Sequence, residues 1–374
     1  MAGTDSFWSN TVSSRVTLVG LALIAVPLSL APLRVASAQG RCGGARAGSP
    51  ACDTVPAKAP FASTGWKTVA LDHFSMQATD PKREAAYYAT LMNWKVRSDD
   101  GTKIVLDMGD IGAMEIRGGF VAPPAPPAAA PTAADSAAGR GRAGGGAARA
   151  PRKVVWDSFC WVIEPWNAKT VEAELKKRGL NPVADNDGKG FESFHVKDPD
   201  GFDVQISNNV NVKQRKAVAA KAALPAAAPF DGTDWKTVWL DHISFEVSNY
   251  KESTAFYQAL LGWKPTGDEG SQNEVQIGEL GNAIIRGGNP AAAPPGPPAP
   301  RHAQMGHVSF GIAPFDPDAT KAVLTTRSLT SREDTGGKGD IHDPKALYKS
   351  YHTTTPDGYD LQISNATKAS RTVR

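Results

Sequence analysis

The sequence predicts an α+β protein in which one domain is used twice in tandem. Three observations carry this. Trp66-Lys67-Thr68-Val69-Ala70-Leu71-Asp72-His73 returns as Trp235-Lys236-Thr237-Val238-Trp239-Leu240-Asp241-His242, at an offset of 169 residues. Arg117-Gly118-Gly119 returns as Arg286-Gly287-Gly288 at the same offset. Asp198-Pro199-Asp200-Gly201 and the strand-like run to Asn208 return as Thr355-Pro356-Asp357-Gly358 and the run to Asn365. Ordered matches of this kind are the mark of an internal duplication.

The elements follow in chain order. The segment 1–38 reads as a signal peptide: Arg15 precedes an apolar run over 16–33, and Ala36-Ser37-Ala38 is a small-x-small cleavage pattern with Gln39 next. The competing reading is an uncleaved anchor, which Pro27 and Pro32 disfavour. Residues 39–65 are an N-terminal linker, where Cys42 and Cys52 can pair in an oxidising compartment. Copy one spans 66–208: a strand over 69–78, a helix over 82–92, and strands over 103–108 and 113–117. A Pro/Ala- then Gly/Arg-rich insertion over 121–152 cannot bury apolar surface and is expected to be disordered. Its second half has a strand at 158–163, a helix at 168–177 ended by Gly179, and strands at 192–196 and 202–207 about an Asp-Pro-Asp-Gly turn. A linker, 209–234, leads to copy two over 235–366, with its helix at 251–261, a Pro/Ala-rich insertion at 289–301 and a tail at 367–374.

Composition narrows the function classes. The 374 residues carry a net charge of only +3, so there is no electrostatic footprint for nucleic acid, and no such partner is expected. The Gly-Arg run at 139–149 reads as a solvated loop before it reads as a site for nucleic acid or acidic lipid. The 36 glycines and 28 prolines cluster in linkers. Cys160 lies in an apolar strand and reads as a buried core residue.

Leu240-Asp241-His242-Ile243-Ser244-Phe245, followed by a helix ending Leu260-Leu261-Gly262-Trp263 and closed by a Pro-Asp-Gly turn before a last strand, resembles the vicinal-oxygen-chelate superfamily of glyoxalases, bleomycin-resistance proteins and extradiol dioxygenases. The resemblance covers nearly all of 66–208 and 235–366. It implies tandem domains, each of two βαβββ units curled into an open eight-stranded barrel. It also implies metal ligands on the first, fourth, fifth and eighth strands, usually His, Glu, His and Glu. Alternate side chains of such strands face inward, so one residue from each can reach a common centre.

Carried over residue by residue, copy two offers His242 and His307 on strands one and five, Ile284 on strand four and Gln362 on strand eight. Copy one offers His73 and Glu115 on strands one and four, then Ser158 and Gln205. Neither set is complete. If halves exchanged between copies, His73, Glu115, His307 and Gln362 would converge; pairing within each copy is the commoner arrangement. His195 and His352 hold equivalent places near the closing turn, each a proton shuttle or a rim residue; His352 is the candidate catalytic group. Trp156, Trp161 and Trp166 either line a substrate pocket or pack the core, the latter being the default.

The leading expectation is an exported, periplasmic or extracytoplasmic enzyme that uses a divalent metal (Fe, Zn, Ni or Mn) on a small molecule with vicinal oxygens. The alternative is a non-catalytic binding module or structural subunit of a larger extracytoplasmic complex, associated with protein or a membrane surface. A third reading is sequestration of a drug-like molecule in an apolar cleft between the copies.

Overall fold

The computed structural model describes residues 56–121, 153–288 and 300–370. The leader, Cys42 and Cys52, the insertion from 122 to 152 and the last four residues lie outside the described residues.

Copy one begins with β1 (Lys67–Ala78), α1 (Pro81–Leu91), β2 (Lys95–Asp99), β3 (Lys103–Asp107) and β4 (Ala113–Arg117). Its second half repeats the plan as β5 (Val154–Glu164), α2 (Ala168–Lys177), β6 (Val183–Asn186), β7 (Glu192–Lys197) and β8 (Asp203–Ser207). After α3 (Val210–Ala217), copy two opens with β9 (Lys236–Val247), α4 (Tyr250–Leu261), β10 (Lys264–Asp268), β11 (Gln272–Ile277) and β12 (Gly281–Arg286). It closes with β13 (Ala303–Ala313), α5 (Pro317–Thr326), β14 (Arg332–Asp334), β15 (Ser350–Thr354) and β16 (Asp360–Ser364).

Each copy forms one open eight-stranded mixed sheet, ordered β2-β3-β4-β1-β5-β8-β7-β6 and β10-β11-β12-β9-β13-β16-β15-β14. The two halves of a copy meet where β1 runs antiparallel to β5, and β9 to β13. Pairing is therefore within each copy, and the exchanged arrangement does not occur.

Local chemistry explains the helix ends. Asp80 accepts from the Arg83 amide at the start of α1, with Pro81 in the first turn. Asn249 does the same for α4, accepting from the amides of Lys251 and Glu252. Helix α4 stops at Gly262, which is left-handed at φ 69°, a conformation glycine adopts without penalty. Helix α3 is a departure from the expected linker. It has no buried residue and no side-chain cap, so neither apolar periodicity nor a cap announced it.

The copies share one core. Trp263 Nε1–H donates to Thr68 Oγ1 (3.1 Å), and its counterpart Trp94 Nε1–H donates to Thr237 Oγ1 (2.7 Å). Trp156 stacks on Tyr359 with centroids 5.1 Å apart, and Trp161 meets Trp263 edge-on at 5.5 Å. Aromatic rings thus pack across the junction, and Trp156 and Trp161 are core residues. Trp166 is half-buried against Phe194.

Candidate functional site

Sheet register builds the site in copy two. On β9, β13, β16 and β15, His242 stands opposite Ser309, Ser309 opposite Gln362, and Gln362 opposite His352. Residues in register share a face, so these four form a row across the sheet. One step along the same face, Ile284 is opposite Ser244, Ser244 opposite His307, and His307 opposite Asp360. Three histidines therefore gather on one concave surface.

His242 and His307 face each other Nε2 to Nε2 at 3.0 Å. Asp241 orients the first: its Oδ2 lies 3.3 Å from His242 Nδ1 and accepts from Ser309 Oγ, Tyr348 Oη and Ser364 Oγ. A carboxylate only accepts, so the proton of His242 sits on Nδ1 and the Nε2 lone pair looks at His307. Burial, then the charges of Arg286 and His352, push His242 down to about 3. Burial and the neighbouring His242 push His307 well below the usual imidazole range. Both rings are neutral near pH 7, the form that ligates metal.

His352 is different. Its Nδ1 lies 2.9 Å from Asp360 Oδ1 and its Nε2 3.4 Å from Asp334 Oδ2. Burial lowers its affinity for a proton, but the bonds to Asp334 and Asp360 outweigh this and the net shift is upward. The bond from His352 in turn holds Asp334 down at about 2. His307, His352 and Asp360 also place potential ligand atoms within 4.8 Å of one another.

Gln362 completes the group. Its Nε2–H donates to Ser350 Oγ (2.7 Å), Tyr348 Oη (3.0 Å) and Asp334 Oδ2 (3.4 Å). The acceptor-only Asp334 fixes which end is nitrogen. That leaves Oε1 buried with no hydrogen-bond partner among the described residues. An orphaned amide oxygen on the same sheet face as two neutral imidazoles 3.0 Å apart fits the donor set of a divalent ion, since each metal–nitrogen bond is about 2.0–2.1 Å. Ile284 offers no donor at the fourth-strand position.

Copy one keeps the geometry and changes the chemistry. His73 Nδ1 lies 2.9 Å from Asp72, and its Nε2 is 3.9 Å from Glu115 Oε2. Glu115 is already bound by Lys103 Nζ at 2.8 Å. Burial lowers His73, but Glu115 and Asp72 raise it more, so the net shift is upward. Ser158 stands where copy two has His307. His73 and Glu115, brought together as expected, share an ion cluster with Lys103, and Asp72, His73 and Cys160 place potential ligand atoms within 4.8 Å of one another. They do not meet His307 or Gln362. His195 repeats the His352 arrangement, with Asp203 at 2.9 Å and Asp185 at 3.5 Å.

The sequence reading overlooked Asp241, Asp334, Tyr348 and Asp360. A signal existed for two: the repeated opening motif puts Asp before His in both copies, Asp72-His73 and Asp241-His242, and both copies carry an Asp eight residues after the later histidine, His195 to Asp203 and His352 to Asp360. Asp334 ends the short strand β14 and Tyr348 lies in the loop before β15, where the repeat motifs do not reach.

The family model of the Glyoxalase/Bleomycin resistance protein/Dioxygenase superfamily matches residues 239–363. No curated protein matches the sequence. Among solved structures, the chain is similar to the Mn(II)-bound glyoxalase from Novosphingobium aromaticivorans, with TM-score 0.51, 15% identity, and 80% and 82% of the two chains covered. It is similar to the 2,3-dioxygenase LapB from Pseudomonas sp. KL28, with TM-score 0.50, 12% identity and coverage of 80% and 92%. It also resembles a variant of homoprotocatechuate 2,3-dioxygenase from Brevibacterium fuscum, with TM-score 0.50, 16% identity and coverage of 84% and 75%. These identities speak for the fold alone. The family model thus places copy two in the glyoxalase/bleomycin resistance/dioxygenase, or vicinal-oxygen-chelate, superfamily, and copy one repeats its sheet topology.

Proposed function

We propose that copy two is the working centre of an exported, divalent-metal-dependent enzyme acting on a small molecule with adjacent oxygens. One observation carries the reading: the neutral Nε2 atoms of His242 and His307, 3.0 Å apart, with the unpartnered Oε1 of Gln362 on the same sheet face. These three residues would hold the ion. Two imidazoles and an amide oxygen suit borderline ions such as Fe, Zn, Ni or Mn. When bound, the ion would polarise substrate oxygens as a Lewis acid. The chain supplies the rest. Asp241 keeps the His242 ring turned toward His307, and Tyr348 and Ser350 hold the Gln362 amide. His352, flanked by Asp334 and Asp360, holds a proton beside the pair and serves as the acid–base group. Fold relatives include a Mn(II)-bound glyoxalase and a 2,3-dioxygenase, both of the reaction classes this centre suits.

The test is elemental analysis of the purified mature chain. About one ion per chain is expected in the parent and none in His307→Ala. Retention of the metal in that variant would overturn the assignment. Export is tested by intact mass: the secreted chain should begin near Gln39, and a chain retaining the preceding residues would be an anchored protein. The second reading, a non-catalytic module in an extracytoplasmic complex, is favoured by one observation. Gln205 and Gln362 both stand where a carboxylate would strengthen metal binding. A parent without metal would put that reading first.

A further inference from the structure

Copy one carries a buried thiol that the centre of copy two does not use. Cys160 lies on β5 with no exposed surface. Register places it opposite His73 on β1 and Gln205 on β8. The same row of copy two runs His242, Ser309, Gln362. A cysteine therefore stands where copy two has a serine, between the same histidine and glutamine.

The exchange changes what surrounds the aspartate before each histidine. In copy two, Asp241 Oδ2 accepts from three hydroxyls, those of Ser309 (2.7 Å), Tyr348 (2.8 Å) and Ser364 (3.0 Å). Copy one lacks this shell. Cys160 stands for Ser309, and its Sγ donates instead to Oγ of Ser207 (3.3 Å), the counterpart of Ser364. Asp72, only 1% exposed, is held through Oδ1: His73 Nδ1 lies at 2.9 Å, Asn211 Nδ2–H donates at 3.4 Å, and Arg215 Nη1 is 3.6 Å away. Oδ2 is buried with no hydrogen-bond partner among the described residues. A buried carboxylate oxygen left in that state is costly unless something binds it.

The donors converge. Asp72, His73 and Cys160 each place a potential ligand atom within 4.8 Å of the others. A cavity of about 510 Å³ on the concave face of copy one reaches Asp72 and His73, which gives an ion an entry path and leaves room for water as a further ligand. A thiolate, an imidazole and a carboxylate together suit a borderline divalent ion. A hard ion such as Mg or Ca gains nothing from the sulfur. Two anionic donors match the charge of the ion, and Arg215 stays beside the other oxygen of Asp72.

We propose that Asp72 Oδ2, an imidazole nitrogen of His73 and Cys160 Sγ form a metal site of their own in copy one, for zinc or another borderline divalent ion. It is separate from the His242–His307 centre and does not depend on it. Burial, then the charge of Asp72, pushes the thiol up in the chain alone, so an ion displaces a proton from Cys160 as it binds. The site therefore fills after the copy-two centre, from added metal, and the ion count of the chain as purified still reports on copy two.

The experiment is titration of the chelator-stripped mature chain with Co(II), followed by absorption, in the His307→Ala background that silences copy two. Cobalt takes zinc sites, and a thiolate bound to it gives a near-ultraviolet charge-transfer band that oxygen and nitrogen ligands do not. The expected result is that band, saturating at about one cobalt per chain and lost when zinc is added. Cys160→Ser should abolish it. Asp72→Asn and His73→Gln should each weaken cobalt binding by about tenfold or more, since each removes one donor. Cys160→Ser restores the hydroxyl that copy two has at Ser309, which donates to the matching aspartate, so without metal it should melt no lower than the parent; the loss of the band is then not a loss of fold. The proposal is overturned if no band appears, if the band survives in Cys160→Ser, or if Asp72→Asn and His73→Gln both bind cobalt as tightly as the parent.

Discussion

At Gln362 a neutral amide shares a sheet face with two neutral imidazoles, and the metal binding proposed for copy two depends on that choice. Its nitrogen is committed to Ser350, Tyr348 and Asp334, so only Oε1 is free to bind. Replacing it by Glu returns a negative charge and a stronger oxygen donor for a hard or borderline cation. The same change removes three donated bonds and sets a second carboxylate beside Asp334. Gln362→Glu should therefore melt lower than the parent in chelator and gain more on adding Mn or Zn, with metal affinity up about tenfold or more. Paired thermal melts with and without metal decide it; equal metal-induced shifts would show that residue 362 is not a ligand. His242 and His307 were visible in the sequence as types at familiar positions. Their neutrality was not, because it comes from burial and from the nearby Arg286 and His352, which only the folded sheet assembles.

The repeat motifs are also the joints of the assembly. Thr68 and Thr237, related by the 169-residue offset, each take the indole N–H of a tryptophan from the other copy, Trp263 and Trp94. All four side chains are buried. Thr68→Val or Thr237→Val keeps the shape and leaves a buried indole donor unpaired. Each should cost about 1–3 kcal/mol of stability, read from the denaturant midpoint, and the double variant should be close to additive. Elements with an apolar period were legible: β1, α1, β5 and α2 fall within a few residues of the expected spans. Strand β2 buries only Val96 and β6 buries nothing, so neither carries an alternating pattern to read. Helix α3 likewise buries none of its residues and is held by ion pairs and hydrogen bonds to residues far away in sequence.

Across the whole molecule, each copy's closing turn grips the first helical segment of the other. Asp357 accepts from the amides of Thr79 and Asp80 and pairs with Arg83, while Asp200 accepts from the Ser248 amide and Arg301. Glu84 of α1 is buried in one of these junctions, accepting from Thr355 Oγ1 (2.6 Å) and the Asp357 amide (3.3 Å). Burial pushes its carboxyl up to about 8 from an ordinary 4.5, against the smaller downward effect of the Thr355 bond. Between these values the unfolded chain releases a proton that the folded chain keeps, so stability falls as pH rises through that window. Glu84→Gln should flatten that slope and exceed the parent in stability at pH 9 by about 2–4 kcal/mol. Melting curves from pH 4 to 9 test this, and parallel curves for the two proteins would refute it.

The duplication and the α+β plan follow from the sequence by itself, because ordered repeat motifs force equivalent places in two copies of one fold; His242, His307, Gln362, His73 and Glu115 were singled out by the family resemblance. Pairing within each copy, the neutral imidazole pair and the lysine that claims Glu115 were decided by tertiary structure. So was the mutual grip of the copies. The reason is physical: sequence periodicity reports which face of an element is buried, whereas protonation and metal competence depend on which charges the fold brings within a few ångströms.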